Sequence, residues 1–97
     1  MRLNQDQLDQ FERDGYVFMP GCFTREEAAM LRREADVVYN TDREEVWREK
    51  DGSTPRTAFA AHKYNEGFRR LGAHPRLIEP VEQVLGGKLY MHQYKVN

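Results

Sequence analysis

Lys88-Leu89-Tyr90-Met91-His92-Gln93-Tyr94-Lys95-Val96-Asn97 reads with the two-residue period of an extended chain. Successive side chains of a strand point to opposite faces. A strand over 88–96 therefore puts Leu89, Met91, Gln93, Lys95 and Asn97 on one side and Tyr90, His92, Tyr94 and Val96 on the other. The first side is oily at its start and polar at its end. Gln93, Lys95 and Asn97 in succession would each need a partner if buried, so that half either faces water or lines a polar cavity.

Working back from this strand, Gly86-Gly87 stops a helix opened by Pro75, with Leu77, Ile78, Val81, Val84 and Leu85 as a broad apolar face. Pro80 lacks an N–H and disfavours a helical Glu79, so the spacing predicts a regular helix from Pro80 after a preceding turn. Asn65–Ala73 offers one or two helical turns around Phe68 and Leu71. Arg56–Ala61 is a short β-prone run leading to His62. Residues 42–55 are charged and turn-rich, with Trp47 the one large aromatic group, which predicts a surface loop or an irregular helical turn. Thr24-Arg25-Glu26-Glu27 is a capping box in which the Thr24 hydroxyl and the Glu27 carboxylate satisfy each other's free backbone N–H groups. It opens an amphipathic helix to about Tyr39 with Ala28, Leu31, Ala35 and Val38 as its stripe. Tyr16–Met19, closed by Pro20-Gly21, predicts a brief strand. Asn4 caps a short helix through about Asp14, ended by Gly15. Helices interspersed with a few short strands place the chain in the α+β class.

Ninety-seven residues fit one small domain with a modest core, and 39% hydrophobic against 32% charged residues suits a globular chain. A net charge of -1 gives no field that draws nucleic acid or an anionic membrane, so neither is an expected partner. Cys22 is the single cysteine. That excludes an internal disulfide and a cysteine-based zinc site, and the residue reads best as a small half-buried apolar group in a reducing compartment. No apolar run follows the N-terminus, so neither a signal peptide nor a membrane span is expected, and a cytoplasmic location follows. The sequence holds no glycine-rich phosphate loop, no serine nucleophile elbow and no His-Glu-x-x-His pair. His62, His74 and His92 have no metal-ligand spacing and read as ordinary polar or packing histidines. Glu26-Glu27 belongs to a helix cap, and Glu44-Glu45 reads as solvated charge.

The succession of short motifs resembles a known family. Asp14-Gly15-Tyr16-Val17-Phe18-Met19-Pro20-Gly21 is followed by Phe23-Thr24-x-Glu26-Glu27 and a helix. Asp51-Gly52, Arg56 to His62, Phe68-x-x-Leu71, His74-Pro75-Arg76-Leu77, Val84-Leu85-Gly86-Gly87 and Tyr90–Asn97 then come in order. The series resembles the opening of phytanoyl-CoA dioxygenase-like proteins, including the ectoine hydroxylases. The resemblance implies a double-stranded β-helix (jelly-roll, cupin-like) oxygenase preceded by helices. It uses ferrous iron, 2-oxoglutarate and dioxygen to hydroxylate a small metabolite or an acyl thioester, and it leaves the substrate open. It also implies that residues 1–97 are a single incomplete domain, the N-terminal helices and first strands of a truncated fold. The iron-binding His-x-Asp and last histidine of relatives lie beyond Asn97, as do the lysine soon after that Asn and the arginine that pairs with the 2-oxoglutarate carboxylate, and ferrous iron needs a facial triad of two histidines and a carboxylate. The 97 residues alone are therefore expected to bind neither iron nor 2-oxoglutarate and to be inactive. By the same resemblance Gln93 contacts substrate, and Arg56 and Asn97 are the candidates for cofactor binding, with Arg56 suited to a carboxylate. A competing reading is a non-catalytic helical protein-interaction domain that binds a partner through residues 42–55 or an exposed apolar face. The bare edge at Lys88–Asn97 also predicts self-association.

Overall fold

The computed structural model describes all 97 residues. Four helices, α1 (Gln5–Asp14), α2 (Arg25–Tyr39), α3 (Glu66–Gly72) and α4 (Pro75–Leu85), accompany three strands, β1 (Val46–Arg48), β2 (Pro55–Phe59) and β3 (Lys95–Val96). The strands form one antiparallel sheet in the order β1-β2-β3. The architecture is α+β, and no helix is long and apolar enough to cross a membrane.

The helix ends are set by local chemistry. Asn4 and Thr24 both form reciprocal capping boxes, with Gln7 and Glu27 respectively, and Gly15 and Gly86 end α1 and α4 in the left-handed conformation that glycine adopts freely. Asn65 caps α3 by accepting from the Phe68 N–H at 3.0 Å, and its Nδ2 donates to Glu34 Oε2 of α2 at 2.9 Å. One buried amide thus starts α3 and ties it to α2. Arg76 of α4 donates to both carboxylate oxygens of Glu27 at 2.9 and 2.7 Å, to the Cys22 carbonyl at 2.8 Å, and lies over the Phe23 ring. The N-terminus is held to α4 by Gln83, which exchanges two hydrogen bonds with the Leu3 backbone, and by an ion pair from the Met1 ammonium to Glu79.

The core is small. Val38 from α2, Val46 from β1, Ala58 from β2, Ala61 and Phe68 are its buried members, surrounded by half-buried Leu31, Ala35, Tyr64, Leu71, Tyr94 and Val96.

Four expectations need correction. Residues 42–55 are not simply a loop: β1 lies within them and pairs Val46 with Ala58 and Trp47 with Thr57. Val46 enters the core from between charged neighbours, so the segment's polarity hid it. The return turn is fixed by Asp51, which accepts from the N–H groups of Ser53 and Thr54 at 2.9 Å each, with Gly52 at φ +78°. Tyr16–Met19 is not a strand, because no partner strand reaches it. Its alternation survives, with Val17 and Met19 turned inward while Tyr16 and Phe18 are 61% and 73% exposed. α4 begins at Pro75 and runs through Pro80 without a break. The Pro80 ring is buried, and the continuous apolar face on both sides offsets the one missing backbone bond. Finally, the predicted strand over 88–96 is reduced to Lys95–Val96. β2 stops at Phe59 because Ala60 takes a left-handed φ of +55° and turns the chain away. The last bond between this segment and the C-terminal strand is Ala60 N–H to the Tyr94 carbonyl at 2.8 Å, and residues 88–93 leave the sheet. Tyr90 is accordingly 85% exposed instead of sharing the inner side with Tyr94.

Candidate functional site

From Gln93 onward the alternation holds. Tyr94 and Val96 turn inward, and Gln93, Lys95 and Asn97 are exposed. Tyr94 is held from several directions: its hydroxyl donates to the Phe68 carbonyl at 2.8 Å, its ring stacks on His62 at 4.7 Å, and it meets Phe68 edge to face. Gly72 lies so near that an added Cβ would come within 2.9 Å of the Tyr94 ring. Burial pushes the Tyr94 hydroxyl above its ordinary titration range. A residue fixed this firmly fixes the direction of its neighbours Gln93 and Lys95 as well.

Pairing of β2 with β3 brings Arg56 and Asn97 into one hollow of about 220 Å³, together with Thr57, Lys95, Phe59 and Trp47. The Asn97 Oδ1 accepts from the Thr57 hydroxyl at 3.0 Å. Lys95 extends its ammonium over the Phe59 ring, 5.6 Å from the centroid, and Phe59 in turn meets Trp47 edge to face at 5.4 Å. Arg56 is exposed and has no carboxylate partner. Two cations without acidic partners, a hydroxyl and an amide on an aromatic floor make a donor set suited to a small carboxylate. Thr57 and Phe59 carry no signal of their own in the sequence, and Trp47 stands out there only as the aromatic group of a charged segment. Their signal lies in strand pairing, which brings together residues forty positions apart.

Gln93 is not part of that hollow. It lies where two others meet. One, of about 570 Å³, is walled by α3, α4 and the chain from Met91 to Asn97, and the other, of about 210 Å³, includes His62 and His92. Lys95 and Asn97 line the larger of these too, so the three residues share one continuous exposed strip without converging on one point. No three histidine, cysteine, aspartate or glutamate side chains come together in a set able to hold a metal ion. The donors present do not fit iron.

The phytanoyl-CoA dioxygenase (PhyH) family model matches residues 11–97. Ectoine dioxygenase of Halomonas elongata is 36% identical over 99 aligned residues, covering 98% of this chain and 30% of that protein. L-proline trans-4-hydroxylase of Streptomyces griseoviridis is 32% identical over 88 residues, covering 91% of this chain and 33% of that protein. In structure, the chain is similar to EctD from S. alaskensis solved with 2-oxoglutarate and 5-hydroxyectoine. The TM-score is 0.85 at 27% identity, over 98% of this chain and 35% of that one. A structure of the same protein with bound Fe superposes equally well, with a TM-score of 0.85. The chain spans about a third of the length of the curated relatives it matches. The family model covers nearly every element described above, from the end of α1 to β3, and the chain belongs to the phytanoyl-CoA dioxygenase family.

Proposed function

We infer that residues 1–97 are part of one oxygenase domain that uses iron(II), 2-oxoglutarate and dioxygen to hydroxylate a small polar metabolite. In this reading β1, β2 and β3 are the first strands of a double-stranded β-helix, and the four helices brace its outside. The observation that carries it is the unpaired Arg56 set beside Lys95, Thr57 and Asn97 on the exposed side of a strand whose other side is locked into the core. Arg56 offers a guanidinium fork to a 2-oxoglutarate carboxylate, with Asn97 and Thr57 as neutral partners nearby. Gln93, two residues along the same side from Lys95, hydrogen-bonds the substrate. The named activities of the relatives, on ectoine and on L-proline, favour a small metabolite over an acyl thioester. The family match likewise favours the oxygenase over a non-catalytic interaction domain.

Succinate release with ectoine and with L-proline as trial substrates tests this reading. The full-length protein is expected to form succinate in an iron- and 2-oxoglutarate-dependent way, while residues 1–97 alone give none above a chelated control. Arg56→Ala in the full-length protein is expected to raise the KM for 2-oxoglutarate by about tenfold, the loss that follows removal of one charge-assisted hydrogen-bonding group. Unchanged 2-oxoglutarate kinetics in that variant would remove Arg56 from the site, and succinate from the 97 residues alone would contradict the division of labour.

A further inference from the structure

His62 is the one residue whose side chain carries a buried polar atom with no partner, its Nδ1. Its ring stacks on Tyr94 at 4.7 Å with 22° between the planes, a place that a phenyl ring would fill without leaving any nitrogen unsatisfied. The chain reaches this position through Ala60, the only non-glycine residue with positive φ (+55°), and a strained backbone two residues before an unsatisfied ring points to a use beyond packing. Ala60 also anchors the sheet to Tyr94 through its N–H, so the strain and the stack belong to one local arrangement.

The other ring nitrogen, Nε2, is neither buried nor hydrogen-bonded. A proton on Nδ1 would be a buried donor with no acceptor, and buried donors are left unpaired less often than acceptors, so of the two tautomers the one protonated on Nε2 is favoured. His62 lines the hollow of about 210 Å³ together with Gln93, His92, Phe59 and Tyr94. We propose that His62 is a second substrate-binding residue, whose Nε2–H and the Gln93 amide together hold a carbonyl or carboxylate oxygen of the small polar substrate. The proposal rests on the reading of Gln93 given above. The Tyr94 stack fixes the plane of the imidazole, and the tautomer set by the buried Nδ1 fixes which nitrogen is the donor.

Two measurements test it. A long-range proton–nitrogen correlation spectrum of the protein should show His62 as the Nε2–H tautomer, and an Nδ1–H tautomer would overturn the proposal. In the full-length enzyme, His62→Phe keeps the stack and removes the donor. It should raise the substrate KM by about tenfold, more than it changes kcat, with a melting temperature equal to or above that of the parent. A purely structural histidine would not separate KM from stability in this direction. Gln93→Ala is measured alongside. If it raises KM and His62→Phe does not, the role of His62 alone is refuted. If neither variant alters KM, the assignment of Gln93 falls with it.

Discussion

Glu27 serves two elements at once. It accepts from the Thr24 N–H as part of the α2 capping box and receives both arms of Arg76 from α4. The Arg76 hydrogen bonds, with the Thr24 backbone bond next, hold its carboxyl at about 2, well below 4.5. A group whose pKa is lowered by folding contributes stability above its unfolded value and loses it as pH falls through the folded one. Urea midpoints should therefore decline from about pH 4.5 toward pH 2, and Glu27→Gln should flatten that decline; an identical pH profile in the variant would show that the pair does not form in solution. Asp51, held at about 2 by Thr54 and Ser53, titrates in the same window and keeps its share in that variant. Thr24→Ala should lower stability by about 1 kcal/mol, read as a lower denaturation midpoint. The caps at Asn4, Thr24, Gly15 and Gly86 were legible because each is completed within three or four residues. The Arg76 clamp was not, since its partner is 49 positions away.

Local signals served three of the helices and the strand β2, and failed at the start of α4 and in the other extended segments. A helix satisfies its own backbone, so α1, α2 and α3 could be read from caps and spacing. A strand needs a partner, and the sequence of Tyr16–Met19 and Lys88–Gln93 shows extended alternation without saying that none is present. β1 failed in the opposite sense, because Val46 sits among Arg43, Glu44, Glu45 and Arg48 and is recognisable only once Ala58 lies across from it. The junction of α3 with the last segment gives a sharp test. Gly72→Ala improves helix propensity by about 1 kcal/mol but drives a methyl group to 2.9 Å from the Tyr94 ring and 3.3 Å from Met91, so the denaturation midpoint should fall. Gly87→Ala, with nothing within 4 Å, should leave it unchanged. A midpoint that rises in Gly72→Ala would show that Tyr94 does not pack where it is described.

At the scale of the whole molecule, the chain measures 47 × 27 × 23 Å and buries few residues, with Phe18, Val81 and Leu85 among the apolar groups left open to solvent. Family membership was legible because many short motifs follow one another at consistent separations, although each is common alone. The gathering of Arg56 with Thr57, Lys95 and Asn97 was not, since it depends on the β2–β3 register. Gln93 and Tyr94 are adjacent residues turned to opposite sides, one exposed and one packed on the core. The decisive measurement is the substrate kcat/KM and the melting temperature of Gln93→Ala and Tyr94→Ala in the full-length protein at equal iron loading. Gln93→Ala should lose about tenfold or more in kcat/KM with little change in melting, and Tyr94→Ala should melt early, losing up to about 3 kcal/mol as its half-buried ring leaves a cavity. Early melting of Gln93→Ala together with a stable Tyr94→Ala that has lost only turnover would contradict the account and turn the substrate side of the strand to Tyr94.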